Sequence, residues 1–189
     1  CNILCVPTQN GMDNLAREGI VQRDGDFDFN TQRVHLVGDV MYDSVLFNSR
    51  LAEEKSSILE ERGLQPGRYG LVTLHRPSNV DNPDTLKLLC TELTRTSERL
   101  PLIFPIHPRT RANLEKFSLT HLLADNDSIR LVDPLGYIHF MNLVCNARLL
   151  ITDSGGVQEE TTYLGIPCLT LRPNTERPVT VTLGTNRLC

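Results

Sequence analysis

The sequence predicts an α/β fold in which a parallel sheet carries helices on both faces. Short apolar runs alternate with longer helical patterns along most of the 189 residues, and 40% of the residues are hydrophobic, enough for a sizeable core. No internal repeat or low-complexity segment interrupts this alternation. Regular strand–helix alternation favours parallel βαβ units with right-handed crossovers.

Six apolar runs are predicted as strands: Val34–Val37, Tyr69–Leu74, Leu102–Ile106, Ile129–Val132, Leu149–Thr152 and Pro167–Leu171. Five segments are predicted as helices: Met41–Arg62, Pro83–Arg99, Pro108–Phe117, Ile138–Asn146 and Gly156–Leu164. Gly63 and Gly165 follow two of these helices, where glycine commonly ends a helix. The polar stretch Arg23–Arg33 predicts a loop or linker. The predicted division of the chain is residues 1–19 as one unit and 20–189 as another.

Composition excludes several classes of function. The net charge of −4 leaves no basic footprint, so broad nucleic-acid binding is not expected. No apolar run approaches ~20 residues, so no membrane-spanning helix is predicted. The six cysteines form no CxxC pair and no zinc-ligand spacing. Cys90, Cys145 and Cys168 lie in apolar stretches and are predicted to be small buried hydrophobes of a cytosolic protein.

Ligands of open α/β sheets bind at the carboxyl ends of the strands, so polar residues just after each predicted strand are the candidates. The strongest candidate is the segment TDSGGVQEE. Ser154, Gly155 and Gly156 lead from a strand into a helix, where free backbone N–H groups favour an anion. Glu159 and Glu160 lie one turn inside that helix, where a carboxylate could accept two hydroxyls of a ribose. The alternative is that Asp153 and Ser154 only cap the helix, that the glycines make a tight turn, and that a glutamate in the early turns interacts favourably with the helix dipole.

A second candidate is the pair His75 and Arg76, which follows a strongly apolar strand. Together the two side chains could bind a diphosphate and stabilise charge on a departing phosphate oxygen. The alternative is a histidine that only hydrogen-bonds within the structure.

Three further strand ends carry weaker candidates. His107 and Arg109 could face a ligand, solvent or a neighbouring domain. Glu176 and Arg177 could form either a buried ion pair or a ligand clamp. The loop at 133–140 could bind a flat base through its backbone, with Tyr137 or Phe140 nearby, although core packing is the usual role of an aromatic ring.

These strand ends predict a nucleotide- or phosphate-binding α/β domain. The sequence has neither the Walker A pattern nor the GxGxxG dinucleotide fingerprint. Metal-ligand spacings and a GxSxG nucleophile elbow are also absent.

The motifs resemble those of the non-hydrolysing UDP-N-acetylglucosamine 2-epimerases along nearly the whole chain. The matching segments are PTQNGMDNLAREGI, VGDVMYDSV, TLHRPSNVDNP, PIHPRTR, TDSGGVQEE, LGIPCLTLR and TERPVTVTLGTNRL. The resemblance implies a GT-B arrangement of two Rossmann-like domains, with this chain as the second, UDP-binding half. Residues 1–19 would be the trailing piece of the first domain. The start at Cys1 without methionine and the end at Cys189 lead us to expect a fragment.

The resemblance also implies a reaction and its partners. UDP leaves C1 of the sugar by elimination and re-adds after a proton reaches the opposite face of C2, which interconverts UDP-N-acetylglucosamine and UDP-N-acetylmannosamine without a cofactor or metal. A cytoplasmic homodimer is expected for the full-length protein. By resemblance, Ser154–Gly156 hold the phosphates, and His75 with Arg76 contacts the diphosphate. Glu160 binds the ribose, and Leu135 with Phe140 brackets the uracil. Arg177 serves the nucleotide-sugar site. His75 is the one expected catalytic residue, and His107 and Arg109 are expected at a regulatory site or an interface.

The chain departs from the family pattern in three places. Many members carry glutamine where Leu135 stands, so the contact with uracil would be through the backbone. Ser78 replaces a usual glutamate. The HVEAGLR-type motif with the acid–base carboxylates does not occur, so the chain alone is expected to bind UDP weakly and not to epimerise. The rival hypotheses are a hydrolysing relative, a GT-B glycosyltransferase half, and a non-catalytic nucleotide-sugar-binding remnant.

Overall fold

The chain forms two compact units, divided between Ser44 and Val45. The computed structural model describes residues 2–21 and 32–189. The first unit contains β1 (Ile3–Val6), α1 (Gln9–Arg17) and β2 (Arg33–Leu36). Strand β2 pairs in parallel with β1 and so belongs with the residues before it, whereas the sequence placed the division after Gly19. The predicted linker Arg23–Arg33 lies almost entirely outside the described residues, and the origin of the first unit in a preceding domain stays a prediction.

The remaining helices and strands alternate as the sequence predicts. The strands are β3 (Gly70–Thr73), β4 (Leu102–Pro105), β5 (Ile129–Val132), β6 (Leu149–Thr152), β7 (Cys168–Thr170) and β8 (Asn186–Leu188). The helices are α2 (Val40–Lys55), α3 (Ile58–Glu61), α4 (Pro77–Val80), α5 (Pro83–Ser97), α6 (Pro108–Lys116), α7 (His121–Ala124), α8 (Tyr137–Asn146), α9 (Gly155–Leu164) and α10 (Pro178–Thr182).

The predicted helix Met41–Arg62 is wrong as one continuous element, because the chain breaks between α2 and α3 at two serines. The Ser56 hydroxyl lies 2.8 Å from Nδ1 of His139. Ser57 precedes α3 and donates its hydroxyl hydrogen bond to Glu61. Serine hydroxyls that bond outside the helix ladder favour helix ends over helix interiors.

All six strands of the second unit run parallel, in the order β5-β4-β3-β6-β7-β8. Side chains that alternate along each strand enter two separate cores, one on each face of the sheet. Val72 packs in one core with Leu86 and Leu93 of α5, and Leu71 packs in the other with Met141 of α8. The predicted parallel sheet with helices on both faces is therefore confirmed.

The strand order creates a topological switch point between β3 and β6. The chain steps outward from β3 to β4 and β5, then returns to the other side of β3 with β6, β7 and β8. The carboxyl ends of β3 and β6 are therefore neighbours, and the connections that follow them diverge. Crevices of this kind are where open α/β sheets bind ligands.

Two of the three cysteine predictions are confirmed outright. Cys90 and Cys168 are buried, whereas Cys145 is only partly buried. None of the cysteines within 2–21 and 32–189 forms a disulfide. Among the same residues, no helix is long and apolar enough to cross a membrane.

Candidate functional site

The buried carboxylate of Asp153 organises the switch point. It follows β6 directly, is fully buried, and accepts hydrogen bonds from the backbone N–H groups of His75 at 3.0 Å and Arg76 at 2.9 Å. The His75 ring contributes a third contact, because its Nδ1 lies 2.9 Å from Oδ1 of Asp153. Nδ2 of Asn79 donates to Asp153 at 3.2 Å and to the Leu171 carbonyl at 2.9 Å, which ties in the end of β7.

Asp153 remains a carboxylate despite its burial. Burial alone would raise its pKa, but the hydrogen bond from the His75 ring and those from the backbone N–H groups of Arg76 and His75 outweigh burial and leave the pKa below its usual range. From sequence alone, Asp153 is predicted only as a cap of the following helix. In the structure, Asp153 fixes the end of β3 instead.

The start of α9 has free space beside Gly156, whereas the Glu176 carboxylate occupies the space beside Gly155. Ser154 occupies the N-cap position, but its hydroxyl makes no capping hydrogen bond, so the simple capping alternative is not what the structure shows. A Cβ on Gly156 would meet nothing within 4 Å, whereas one on Gly155 would lie 2.6 Å from Oε1 of Glu176. Gly155 therefore makes room for the Glu176 carboxylate, and Gly156 leaves free space beside the first turn.

Glu176 joins two arginines over this helix start. Its Oε2 lies 2.7 Å from Nη2 of Arg172, and its Oε1 lies 3.4 Å from Nη2 of Arg76. The hydrogen bond from Arg172 lowers the pKa of Glu176 to about 2. Only 11% of the Arg172 side chain is exposed, and its buried Nη1 has no hydrogen-bond partner among the described residues.

Arg177 pairs differently from its neighbour. Its Nε lies 2.7 Å from Oε1 of Glu159 on α9. The pairing of Glu176 with Arg177 considered from sequence does not form, because the two side chains engage different partners. Both still lie at the rim of the α9 start.

Glu160 is buried with one oxygen occupied and the other bare. The Tyr137 hydroxyl donates to its Oε1 at 3.0 Å, and the buried Oε2 has no hydrogen-bond partner within the described part of the chain. Burial raises the pKa of Glu160, and the hydrogen bond from Tyr137 opposes that rise. Tyr137 is thus a polar partner of Glu160 rather than the core ring that sequence favoured as its default role.

A cavity of about 190 Å³ lies beside the switch point. It brings together four of the predicted site residues, His75, His107, Leu135 and Phe140. The rings of His75 and His107 are 5.7 Å apart between centroids. The other wall residues are Thr73, Leu74, Pro105 and Pro134.

Arg109 points to a different partner. Its Nε donates to Oδ1 of Asp81 at 2.8 Å, and its Nη2 also contacts that carboxylate. The hydrogen bond from Arg109 lowers the pKa of Asp81. Both side chains are substantially exposed, at 47% and 40%, so this is a surface ion pair.

Sequence reasoning missed Arg172 and Asn79, and it gave Asp153 no role toward β3. Asp153 and Arg172 both follow strands closely, so the strand-end criterion could have found them. Nothing in the local sequence indicates that Asn79 bridges two strand ends.

The fold and these groups define a class, an α/β protein whose candidate anion-binding groups converge at the switch point of a parallel sheet. The sequence model of the UDP-N-acetylglucosamine 2-epimerase family matches residues 1–189. The chain belongs to that family.

Relatives and solved structures agree with this assignment. A UDP-N-acetylglucosamine 2-epimerase of Methanococcus maripaludis is 38% identical over 189 residues, 98% of this chain and 49% of that protein. The structure of UDP-GlcNAc 2-epimerase from Methanocaldococcus jannaschii is 40% identical with a TM-score of 0.84, covering 100% of this chain and 51% of that one. A structure of the Methanocaldococcus jannaschii enzyme in complex with UDP-GlcNAc and UDP is 38% identical with a TM-score of 0.83, covering 100% and 50%. The chain thus spans about half the length of the relatives it matches.

Proposed function

We propose that this chain is the UDP-binding half of a UDP-N-acetylglucosamine 2-epimerase. The observation that carries the proposal is the convergence of His75, Arg76 and the start of α9 at one switch point, in a chain of this family. The complex of the similar enzyme with UDP-GlcNAc and UDP supports the choice of ligand.

The diphosphate is proposed to lie against the start of α9. Backbone N–H groups of Gly155 and Gly156 would donate to the anion there. The Ser154 N–H already donates to the Thr152 hydroxyl at 3.0 Å, so Ser154 would contribute through its own hydroxyl, which makes no capping hydrogen bond. The space beside Gly156 supports a close approach of the ligand to the backbone. Arg76 and His75 would supply charge and a hydrogen bond from the end of β3.

The nucleoside is proposed to extend from the diphosphate toward Glu160 and the cavity. The unpartnered Oε2 of Glu160 would accept the ribose hydroxyls, because a buried carboxylate oxygen without a partner is costly until a donor reaches it. The cavity between Leu135 and Phe140 would hold the uracil, with Leu135 contributing backbone groups. Arg177 would serve the nucleotide-sugar site from the rim.

The proposed reaction fits a half that binds UDP through both chemical steps. The proton on C2 of the sugar is not acidic enough for direct removal, so UDP departs from C1 first. A base then takes the C2 proton, which leaves a C1=C2 double bond in a 2-acetamidoglucal. UDP re-adds to C1 when an acid delivers a proton to the other face of C2. Donors that hold the departing diphosphate stabilise the developing charge and retain the nucleotide. The acid and base carboxylates would come from an N-terminal domain outside this chain. We extend the proposal to a homodimeric, cytoplasmic full-length enzyme, on the resemblance alone.

Calorimetric titration of the 189-residue chain tests the ligand. We expect weak binding of UDP, weaker binding of ADP, and no binding of uridine at the same concentrations. Gly156→Ala should lower UDP affinity while leaving the urea midpoint unchanged or slightly raised, since glycine inside a helix costs roughly 0.5–1 kcal/mol relative to alanine. Equal binding of UDP by this variant and the parent would contradict the proposed position of the diphosphate.

The activity is tested by C2 exchange in deuterated water. We expect no exchange into UDP-N-acetylglucosamine by the 189-residue chain alone, and exchange by the full-length protein. Free N-acetylmannosamine among the full-length products would instead indicate the hydrolysing reaction. Turnover by this chain alone would contradict the proposed division of labour.

A further inference from the structure

Two histidines line one cavity and hold their Nδ1 atoms in hydrogen bonds to partners of opposite kind. His75 and His107 both border the cavity, with ring centroids 5.7 Å apart. Nδ1 of His75 meets a carboxylate oxygen, whereas Nδ1 of His107 meets a backbone N–H group. Because the partner of one ring nitrogen dictates which nitrogen carries the proton, the two contacts assign the tautomers.

The His75 ring must carry its proton on Nδ1. Its partner Asp153 is buried, and the N–H groups gathered around it keep it ionised, so it can only accept. The 2.9 Å contact is therefore a hydrogen bond donated by Nδ1. In the neutral ring, Nε2 is then a bare acceptor, and it makes no hydrogen bond within residues 2–21 and 32–189.

The His107 ring has the opposite arrangement. Nδ1 accepts the hydrogen bond from the Arg109 N–H at 3.1 Å, as the cap of α6. A nitrogen that accepts a hydrogen bond carries no proton, so the neutral ring has its proton on Nε2. One cavity wall thus offers an acceptor from His75 and a donor from His107.

We infer that Asp153 is a positioning residue that holds His75 in the Nδ1–H tautomer, so that His75 takes up a proton at Nε2 when it engages the diphosphate of a nucleotide. A bare Nε2 repels a phosphate oxygen, and only the ring protonated at both nitrogens donates to it. The proton comes from solvent, and the positive ring then lies between Asp153 and the diphosphate. The charged and titratable groups around His75 are Asp153, Arg76 and His107. The inference rests on the proposed function for its ligand.

Proton-linked calorimetry with UDP tests the uptake. The enthalpy of UDP binding is measured at pH 7.5 in PIPES, HEPES and Tris, whose ionisation enthalpies differ, and its slope against ionisation enthalpy gives the protons taken up. At this pH a terminal phosphate is mostly ionised, so its oxygens accept hydrogen bonds. We expect uptake approaching one proton per UDP bound, and an absence of uptake in the parent chain would overturn the inference.

Three variants identify the residue that takes up the proton and the residue that determines the tautomer of the His75 ring. His75→Asn keeps a donor toward Asp153 and removes Nε2, so uptake should disappear. His107→Asn keeps an acceptor for the Arg109 N–H and also removes Nε2, so it is the matched control and uptake should persist. Asp153→Asn offers an amide that can donate to Nδ1, which moves the ring proton to Nε2 and should abolish uptake. Parent-like uptake in Asp153→Asn would overturn the role of Asp153.

The tautomers themselves can be read without a ligand. Two-bond ¹H–¹⁵N spectra of the labelled chain distinguish protonated from bare ring nitrogens, and the two histidine variants assign the signals. We expect Nδ1–H in His75 and Nε2–H in His107, and Nε2–H in both rings would overturn the inference even if Asp153→Asn did not fold. If UDP does not bind, the proposed function fails, and these spectra still decide whether Asp153 positions His75.

Discussion

The ends of β3 and β4 begin from nearly the same letters and reach different structures. Leu74–Pro77 reads LHRP and Ile106–Arg109 reads IHPR, and a helix with an early proline follows each. At β3 the histidine and arginine are anchored by the buried Asp153. At β4 the histidine caps its own helix, and the arginine pairs with the exposed Asp81.

The neighbouring strand makes the difference. An aspartate follows both β6, the neighbour of β3, and β5, the neighbour of β4. Asp153 is fully buried at the centre of the sheet, whereas the side chain of Asp133 is 89% exposed at its edge and pairs with Arg111. Similar local motifs therefore make different contacts according to the strand beside them, and the central motif is the one we propose as the ligand site.

The sharpest test of this comparison removes the acidic partner of each arginine-containing segment. Asp153→Ala leaves the partly buried backbone N–H groups of His75 and Arg76 and the His75 ring without their acceptor, so we expect a loss of about 3 kcal/mol in the free energy of unfolding. Asp81→Ala breaks an exposed ion pair with Arg109 and an exposed hydrogen bond from Asn113, and it should leave the urea midpoint nearly unchanged. Equal effects of the two variants would end the distinction between the two strand ends.

A second test compares the two arginines in UDP binding. Arg76→Ala removes a charged donor beside the start of α9, and we expect the dissociation constant to rise about tenfold. Arg109→Ala should leave it within about twofold, because its guanidinium pairs with the exposed Asp81, whereas that of Arg76 lies beside Gly155 at the start of α9. Calorimetry on both variants measures the ratio, and a larger loss from Arg109→Ala would move the ligand toward β4.

Acid denaturation gives a third, smaller test. The folded pKa of Asp153 lies below the unfolded value, so its stabilisation is complete above the unfolded value of about 3.9 and is lost as pH falls through the folded pKa. We expect the urea midpoint of the parent to fall more steeply than that of Asp153→Asn between pH 5 and the acid limit. Each unit of difference in pKa contributes about 1.4 kcal/mol. Parallel curves would show that Asp153 is not ionised in the fold.

The smallest effect is expected from the cap of α6. His107→Ala removes the acceptor for the Arg109 N–H and should cost about 0.5–1 kcal/mol, and His107→Asn should restore most of it because asparagine is a favourable cap. Urea unfolding of both variants checks this. If asparagine did not restore stability, the role of His107 at β4 would lie in something other than its cap.

Most of the fold could be predicted from sequence, because apolar runs and helix-ending residues are visible within short segments of the chain. The predicted strands Ile129–Val132 and Leu149–Thr152 match the structure to the residue. The strands Ile3–Val6 and Asn186–Leu188 were not predicted, because both are short and lie outside the clear alternation of apolar runs and helical patterns. Their assignment depends on pairing with distant residues.

The candidate site could be predicted only in part, because the local sequence does not show the order of the strands in the sheet. Strand-end position found His75, Arg76 and the glycines of α9. It could not show that β6 lies beside β3, which is what brings Asp153 to His75. Likewise, Glu176 and Arg177 are adjacent in sequence but form ion pairs with different residues. Glu176 pairs with Arg172, and Arg177 pairs with Glu159.

The switch-point order has a consequence for inheritance. Every residue proposed to contact the nucleotide lies between His75 and Arg177, within the second compact unit. One continuous stretch of the chain therefore contains every residue of the proposed nucleotide site, including Asp153, which orients the His75 ring. A recombination event with endpoints outside this stretch would transfer the proposed nucleotide site intact to a new catalytic domain. An endpoint between His75 and Asp153 would separate the His75 ring from the residue that orients it.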